Sequence, residues 1–145
     1  MNPEIKALWV AALRSGRYRQ GDRALRKYIP INGGYDTYCC LGVLCDLHVQ
    51  AVESGFATWE RRDSDGLAYR YIGSDGKDTS TSTLTRDVME WAGLSSDNPQ
   101  IETGDHRITT LSECNDAVVW HLQAPATKVK ALNFHQIADL IEAQL

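Results

Sequence analysis

The chain has 145 residues, 43% of them hydrophobic and 23% charged, with a formal net charge of −4. That length fits one domain, and the apolar share is enough for a packed core, which excludes a disordered chain. No stretch approaches the roughly 18 apolar residues of a membrane span, and the N-terminus lacks the charged-then-apolar layout of a signal peptide, so the expected location is the cytoplasm.

Asn2 and Pro3 read as an N-cap followed by proline at the first helical position. Ile5, Leu8, Trp9, Ala12 and Leu13 then recur at helical spacing until Gly16, which predicts a helix over about 3–15. Arg23 to Ile29 reads as a short strand and Pro30 to Gly34 as a loop. Asp36 or Thr37 is the expected cap of a second, central helix, whose apolar stripe runs Cys40, Leu41, Leu44, Cys45, His48 and Val52, with Gly55 beyond its end. Trp59 with its neighbours, and then Leu67, Tyr69 and Tyr71 in alternation, read as two antiparallel strands that close at the Gly73–Gly76 turn. Lys77 to Thr83 reads as an exposed loop. Thr83 or Thr85 caps a third helix carrying Leu84, Val88 and Trp91, and Gly93 stops it. Residues 95–107 read as loop, Leu111 to Asp116 fits either a helical turn or a strand end, and Val118 to Leu122 is short and β-prone. Asn133 caps a last helix with Phe134, Ile137, Ala138, Ile141 and Leu145 on its buried face. The expected fold is therefore α+β: about four helices on a small, mainly antiparallel sheet, in a single domain.

Charge is unevenly distributed. Arg14, Arg17, Arg19, Arg23, Arg26 and Lys27 face the single acid Asp22, so the rest of the chain carries the difference, about −9. Arg14, Arg17, Tyr18, Arg19, Gln20 and Arg23 are the candidate residues for an anionic ligand; a solvated surface run is the plainer reading of the same residues.

No P-loop, dinucleotide-binding glycine fingerprint, His-Glu-x-x-His, Gly-x-Ser-x-Gly or EF-hand loop is present. The densest unusual string is Tyr38-Cys39-Cys40-Leu41-Gly42-Val43-Leu44-Cys45-Asp46-Leu47. A cysteine in the first turn of a helix lies near unpaired N–H groups and the positive end of the macrodipole, which favour the thiolate, so Cys40 is a candidate nucleophile. The plainer reading buries it as a small hydrophobe, with Gly42 as a packing contact. Gln20, Cys40, His106 and Asn115 occur in the order of a papain-like hydrolase, with Gln20 as the oxyanion donor and Asn115 orienting the histidine; His121 or His135 would serve as well. Cys45 and His48, with Cys40 or Cys114, lack the paired spacing of a zinc site, and no metal or cofactor is expected. All four cysteines are expected to be reduced.

The string Leu13…Gly16…Tyr18-Arg19-Gln20-Gly21, the cysteine string, Leu84…Val88…Trp91-Ala92-Gly93-Leu94, and Asn115-Asp116 with Phe134…Ile137-Ala138-Asp139-Leu140-Ile141-Glu142 together span most of the chain. On these residues the chain resembles a group of uncharacterised proteins of bacteriophages and their bacterial hosts. The resemblance implies a phage or prophage origin and no particular activity. In that group the Asn-Asp pair closely precedes the final helix, whereas here Ala117 to Asn133 intervenes, which weakens any role of Asn115 tied to that helix.

Three functions follow, in this order. The first is a small binding protein acting on a host protein or a small anionic ligand such as a nucleotide, in the manner of a counter-defence factor. The second is a cysteine hydrolase built on Cys40. The third is a nucleic-acid-binding module, which the acidic total disfavours. No membrane partner is expected, and homo-oligomerisation is left open.

Overall fold

The structure, a computed structural model, describes residues 1–52, 56–62, 67–116 and 131–145. Helix α1 spans Pro3–Arg14; Asn2 Oδ1 accepts the Glu4 N–H at 2.9 Å and Pro3 opens the first turn. Its buried face is Ile5, Trp9, Val10, Ala12 and Leu13, whereas Leu8, expected on that face, is 53% exposed.

The basic segment leads into a hairpin of β1 (Arg26–Ile29) and β2 (Tyr35–Tyr38), in which Arg26 pairs with Tyr38 and Ile29 with Tyr35. The strand starts three residues later than expected because Arg23 has φ 59°, a left-handed conformation that breaks an extended run. Asp36 and Thr37, expected to cap the second helix, lie inside β2. Their backbone is taken by the hairpin partner, which local sequence does not reveal.

The cap of α2 (Cys40–Ala51) is Cys39, whose Sγ accepts the Gly42 N–H at 3.4 Å. Cys40 to Cys45 are all buried, so α2 is the central helix that its stripe predicts. Gly42 fits because its Cα faces the Leu25 carbonyl: a Cβ there would stand 1.7 Å from that oxygen.

Strands β3 (Thr58–Arg61), β4 (Tyr69–Ile72) and β5 (Thr79–Ser80) form an antiparallel sheet in the order β3-β4-β5. The first two are the strands read from alternation; β5 lies within the segment expected to be loop. Helix α3 (Arg86–Ala92) has Thr85 at its N-cap and ends at Gly93, φ 63°. Two further strands, β6 (Gln100–Glu102) and β7 (Ile108–Thr110), make a hairpin, β6 within the residues 95–107 that read as loop and β7 just beyond them; three-residue strands carry too little periodicity to be seen alone. Leu111–Asn115 resolves as helix α4, started by a capping box between Thr110 and Glu113. Asn133 and Gln136 make a second capping box for α5 (Phe134–Gln144), with Phe134, Ile137, Ala138 and Ile141 buried. Gly55 and Val118 to Leu122 lie outside the described residues.

The class is α+β, as expected: the described residues hold five helices, and the antiparallel strands divide into three small sheets. Helices α1, α3 and α4 pack on α2, and α5 packs on α1 and α4. Trp9, Leu13, Leu25, Leu41, Leu44, Leu111, Ile137 and Ile141 fill the common core at 2% exposure or less. Each such side chain contributes roughly 1.5–3 kcal/mol through burial. No described helix is long and apolar enough to cross a membrane.

Candidate functional site

The residues singled out around the cysteine string converge on Asn115, which is 2% exposed. Its Oδ1 accepts the Cys40 N–H at 3.1 Å and a Gln20 Nε2–H at 3.2 Å. Its Nδ2 donates to the Gly21 carbonyl at 2.8 Å and to Asp116 Oδ1 at 2.9 Å. Both halves of the amide are therefore occupied. Asn115 ties the start of α2 to the loop after α1, and Asp116 extends the tie by accepting the Arg23 N–H at 3.1 Å.

Cys40 is fully buried; its carbonyl accepts the Trp9 indole N–H at 2.9 Å and its thiol donates to the Leu111 carbonyl at 3.5 Å. Burial, reinforced by Cys39, holds the Cys40 thiol well above its ordinary range, outweighing the local backbone N–H groups. Burial likewise pushes Cys114 up to about 11. All four cysteines are unpaired thiols inside the core.

This geometry joins three of the four residues in papain-like order, Gln20, Cys40 and Asn115, but not in the roles such an enzyme needs. Gln20 Nε2 is spent on Asn115 and on the Leu132 carbonyl at 2.8 Å, leaving no oxyanion donor. The fourth, His106, sits at the β6–β7 turn with its side chain 90% exposed and its Nδ1 2.6 Å from Glu102, away from a sulfur that no solvent reaches. His135 is exposed on α5, and His121 lies outside the described residues. His48 is buried at 3% exposure rather than at the core rim, with Nδ1 2.6 Å from the Tyr71 hydroxyl. Among the described residues no group of three His, Cys, Asp or Glu side chains converges to hold a metal ion.

The basic run divides in two. Arg14 pairs with Asp139 at 2.5 Å and Glu142 at 2.8 Å, pinning α1 to α5. Arg26 pairs with Asp36 at 2.5 Å and lies over the rings of Tyr38, Trp59 and Tyr69, so its charge holds the hairpin against β3 and β4. Lys27 pairs with Asp22 at 3.2 Å, and Arg23 lies 3.9 Å from the same carboxylate. Arg17 and Arg19 make no ion pair among the described residues; both are exposed, and they brace on the rings of Tyr18 (5.9 Å) and Tyr35 (4.2 Å). The Tyr18 hydroxyl is turned inward, donating to Asp46 at 2.8 Å beside the Trp59 indole N–H, and burial together with Asp46 pushes it up to about 12.

Strand alternation turns this division into a site. Arg26, Tyr28, Asp36 and Tyr38 share the hairpin face that holds the aromatic contacts, so Lys27, Ile29, Tyr35 and Thr37 share the opposite face. That outer face lines an open groove of about 550 Å³, completed by Gln20, Asn115 and Leu132, which Gln20 joins by hydrogen bonds to both of the others. The candidate arginines lie outside this lining; of it, sequence reasoning singled out Gln20, and Asn115 for a different role, but missed Lys27, Tyr35 and Thr37. The signal that would have found them is the period of two across both strands, which becomes readable once β2 is recognised as a strand.

Across its whole length, residues 1–145, the chain matches the family model described as Domain of unknown function (DUF8296), and it belongs to that family. Neither the curated proteins nor the solved structures contain a match to it.

Proposed function

We propose that this member of the DUF8296 family is a small phage-encoded binding protein that recognises an anionic host component or ligand, in the manner of a counter-defence factor. The observation that carries the reading is the division of the basic run. Arg14, Arg26 and Lys27 are matched by acids, while Arg17 and Arg19 stand exposed without an acidic partner among the described residues, Arg17 on the Tyr18 ring and Arg19 on the ring of Tyr35, which lines the groove. A cation held on a ring is ordered before its ligand arrives, so less side-chain entropy is lost on binding. Its field reaches over roughly 8 Å at physiological salt, so the negative charge elsewhere on the protein does not cancel it locally. The phage origin rests on the sequence resemblance, and the counter-defence role on small size and that origin.

The test uses poly-L-glutamate as the acidic probe, titrated by calorimetry over a series of salt concentrations. Expected is binding that weakens as salt rises, with the Arg17→Ala, Arg19→Ala double variant at least tenfold weaker and flatter in its salt dependence. Unchanged affinity and slope in the double variant would overturn the proposal, as would no binding at low salt.

A further inference from the structure

We infer that the groove on the outer face of the β1–β2 hairpin holds a nucleoside monophosphate, an assignment that rests on the binding reading above and narrows it to one ligand class. Three features converge on that chemistry. The first is a stacking surface: Arg19 lies 4.2 Å over the Tyr35 ring, and Tyr35 lines the groove. Guanidinium and tyrosine planes are the usual partners of a nucleobase face.

The second is an unspent hydroxyl. Thr37 is nine-tenths buried, lines the groove, and its Oγ1 has no hydrogen-bond partner among the described residues. It faces bare backbone at Gly21, where a Cβ would stand 2.6 Å from Oγ1. The hydroxyl is not sealed from solvent, so it reaches the groove that Thr37 lines and is free to bond a ligand there. Beside it, the Gln20 amide donates through Nε2 to Asn115 and Leu132 while its Oε1 accepts nothing among the described residues. A hydroxyl and a carbonyl oxygen along the groove lining suit the donors and acceptors of a ribose or a base edge.

The third is the size of the charge. Asp22 is shared between Lys27 and Arg23, so this trio carries one net positive charge, and Arg19 supplies a second. Asp116, held by the Arg23 and Asn115 N–H groups, subtracts from that total. The net charge of this set is +1, which suits a ligand with a single phosphomonoester better than a triphosphate chain. The groove volume of about 550 Å³ lies within the roughly 300–1,000 Å³ of small-molecule sites. In the inferred complex the base stacks at Arg19 and Tyr35, a sugar hydroxyl meets Thr37 and Gln20, and the phosphate lies toward Lys27 and Arg23.

The experiment titrates the full chain with AMP, GMP, CMP and UMP, and separately with ribose 5-phosphate and inorganic phosphate, by calorimetry at low salt. Expected is at least one nucleotide binding tenfold or more tightly than either base-free probe. Thr37→Val should then lose about tenfold in nucleotide affinity, and Thr37→Ser should restore it, while poly-L-glutamate binding stays unchanged. Should Thr37→Val fail to fold, Lys27→Met supplies the same comparison. Equal affinity for nucleotide and phosphate would overturn the inference, as would no nucleotide binding or indifference to both variants. If poly-L-glutamate still binds through Arg17 and Arg19 in that case, only the narrower assignment falls; if neither probe binds, both readings fall.

Discussion

The first turn of α2 and the outer face of the β1–β2 hairpin meet at Gln20 and Asn115, yet they dispose of their polar atoms in opposite ways. Around Cys40 the backbone N–H, the carbonyl and the thiol each have a partner, and all four bonds of the Asn115 amide lie within the fold. On the hairpin face the Thr37 hydroxyl, the Gln20 carbonyl oxygen and the Arg19 charge have no hydrogen-bond or acidic partner among the described residues. A saturated set of bonds fixes a structure and leaves nothing to offer a ligand. An unsaturated set, held by a rigid neighbour, is what recognition requires. The unusual cysteine string therefore supports the fold, and the less conspicuous Tyr35 and Thr37 belong to the side that can bind.

The contrast breaks most sharply at Gly42. Alanine is better than glycine inside a helix by about 1 kcal/mol, but a Cβ there would stand 1.7 Å from the Leu25 carbonyl oxygen, which is backbone and yields little. Gly42→Ala should cost about 3 kcal/mol or more, seen as a large fall in the urea midpoint or as failure to fold. A variant as stable as the parent would show that α2 and Leu25 are not in contact.

Next comes Asn115→Ala, which strands the Cys40 N–H and the Gly21 carbonyl together. At about 1–3 kcal/mol for each buried group left unpaired, a loss of about 3 kcal/mol is expected by thermal or urea unfolding. A loss below about 1 kcal/mol would mean that the amide is not the tie described.

A smaller effect concerns acid. Burial lowers the affinity of His48 for a proton below its ordinary value of 6.5, although Asp87 opposes this. The folded state then binds fewer protons than the unfolded state once pH falls below 6.5, so stability is full above that value. It falls through the window beneath it, by at most about 1.4 kcal/mol per pH unit. Urea unfolding between pH 7.5 and 5 should show this slope, and His48→Gln should remove it; a variant that keeps the full slope would assign it elsewhere.

The smallest effect is at Cys40 itself. Cys40→Ser keeps a donor for the Leu111 carbonyl and should cost about 1 kcal/mol, and iodoacetamide should label the native thiol slowly. Rapid stoichiometric labelling of the native thiol near neutral pH, combined with full stability and lost function in the Cys40→Ser variant, would return Cys40 to the role of nucleophile.

How much of this was legible depended on the range of the interactions. Helices α1, α2 and α5 were readable because caps and a 3.6-residue period are written within a dozen neighbours, as at Asn2-Pro3 and Asn133. The pair β3 and β4 was readable from alternation at Trp59, Tyr69 and Tyr71. By contrast, β2 was mistaken for a helix cap, since Asp36 and Thr37 suit a cap locally and only pairing with β1 makes them a strand. The short strands β5, β6 and β7 exist through their partners in the same way. The sequence by itself determined the helical core, the class of the fold and the concentration of positive charge before residue 28. Tertiary structure alone decided that Cys40 is sealed, that Asn115 binds residues 75 and 94 positions away, and which arginines meet an acid. Burial and charge pairing are sums over neighbours in space, and those neighbours are brought together only when the chain folds.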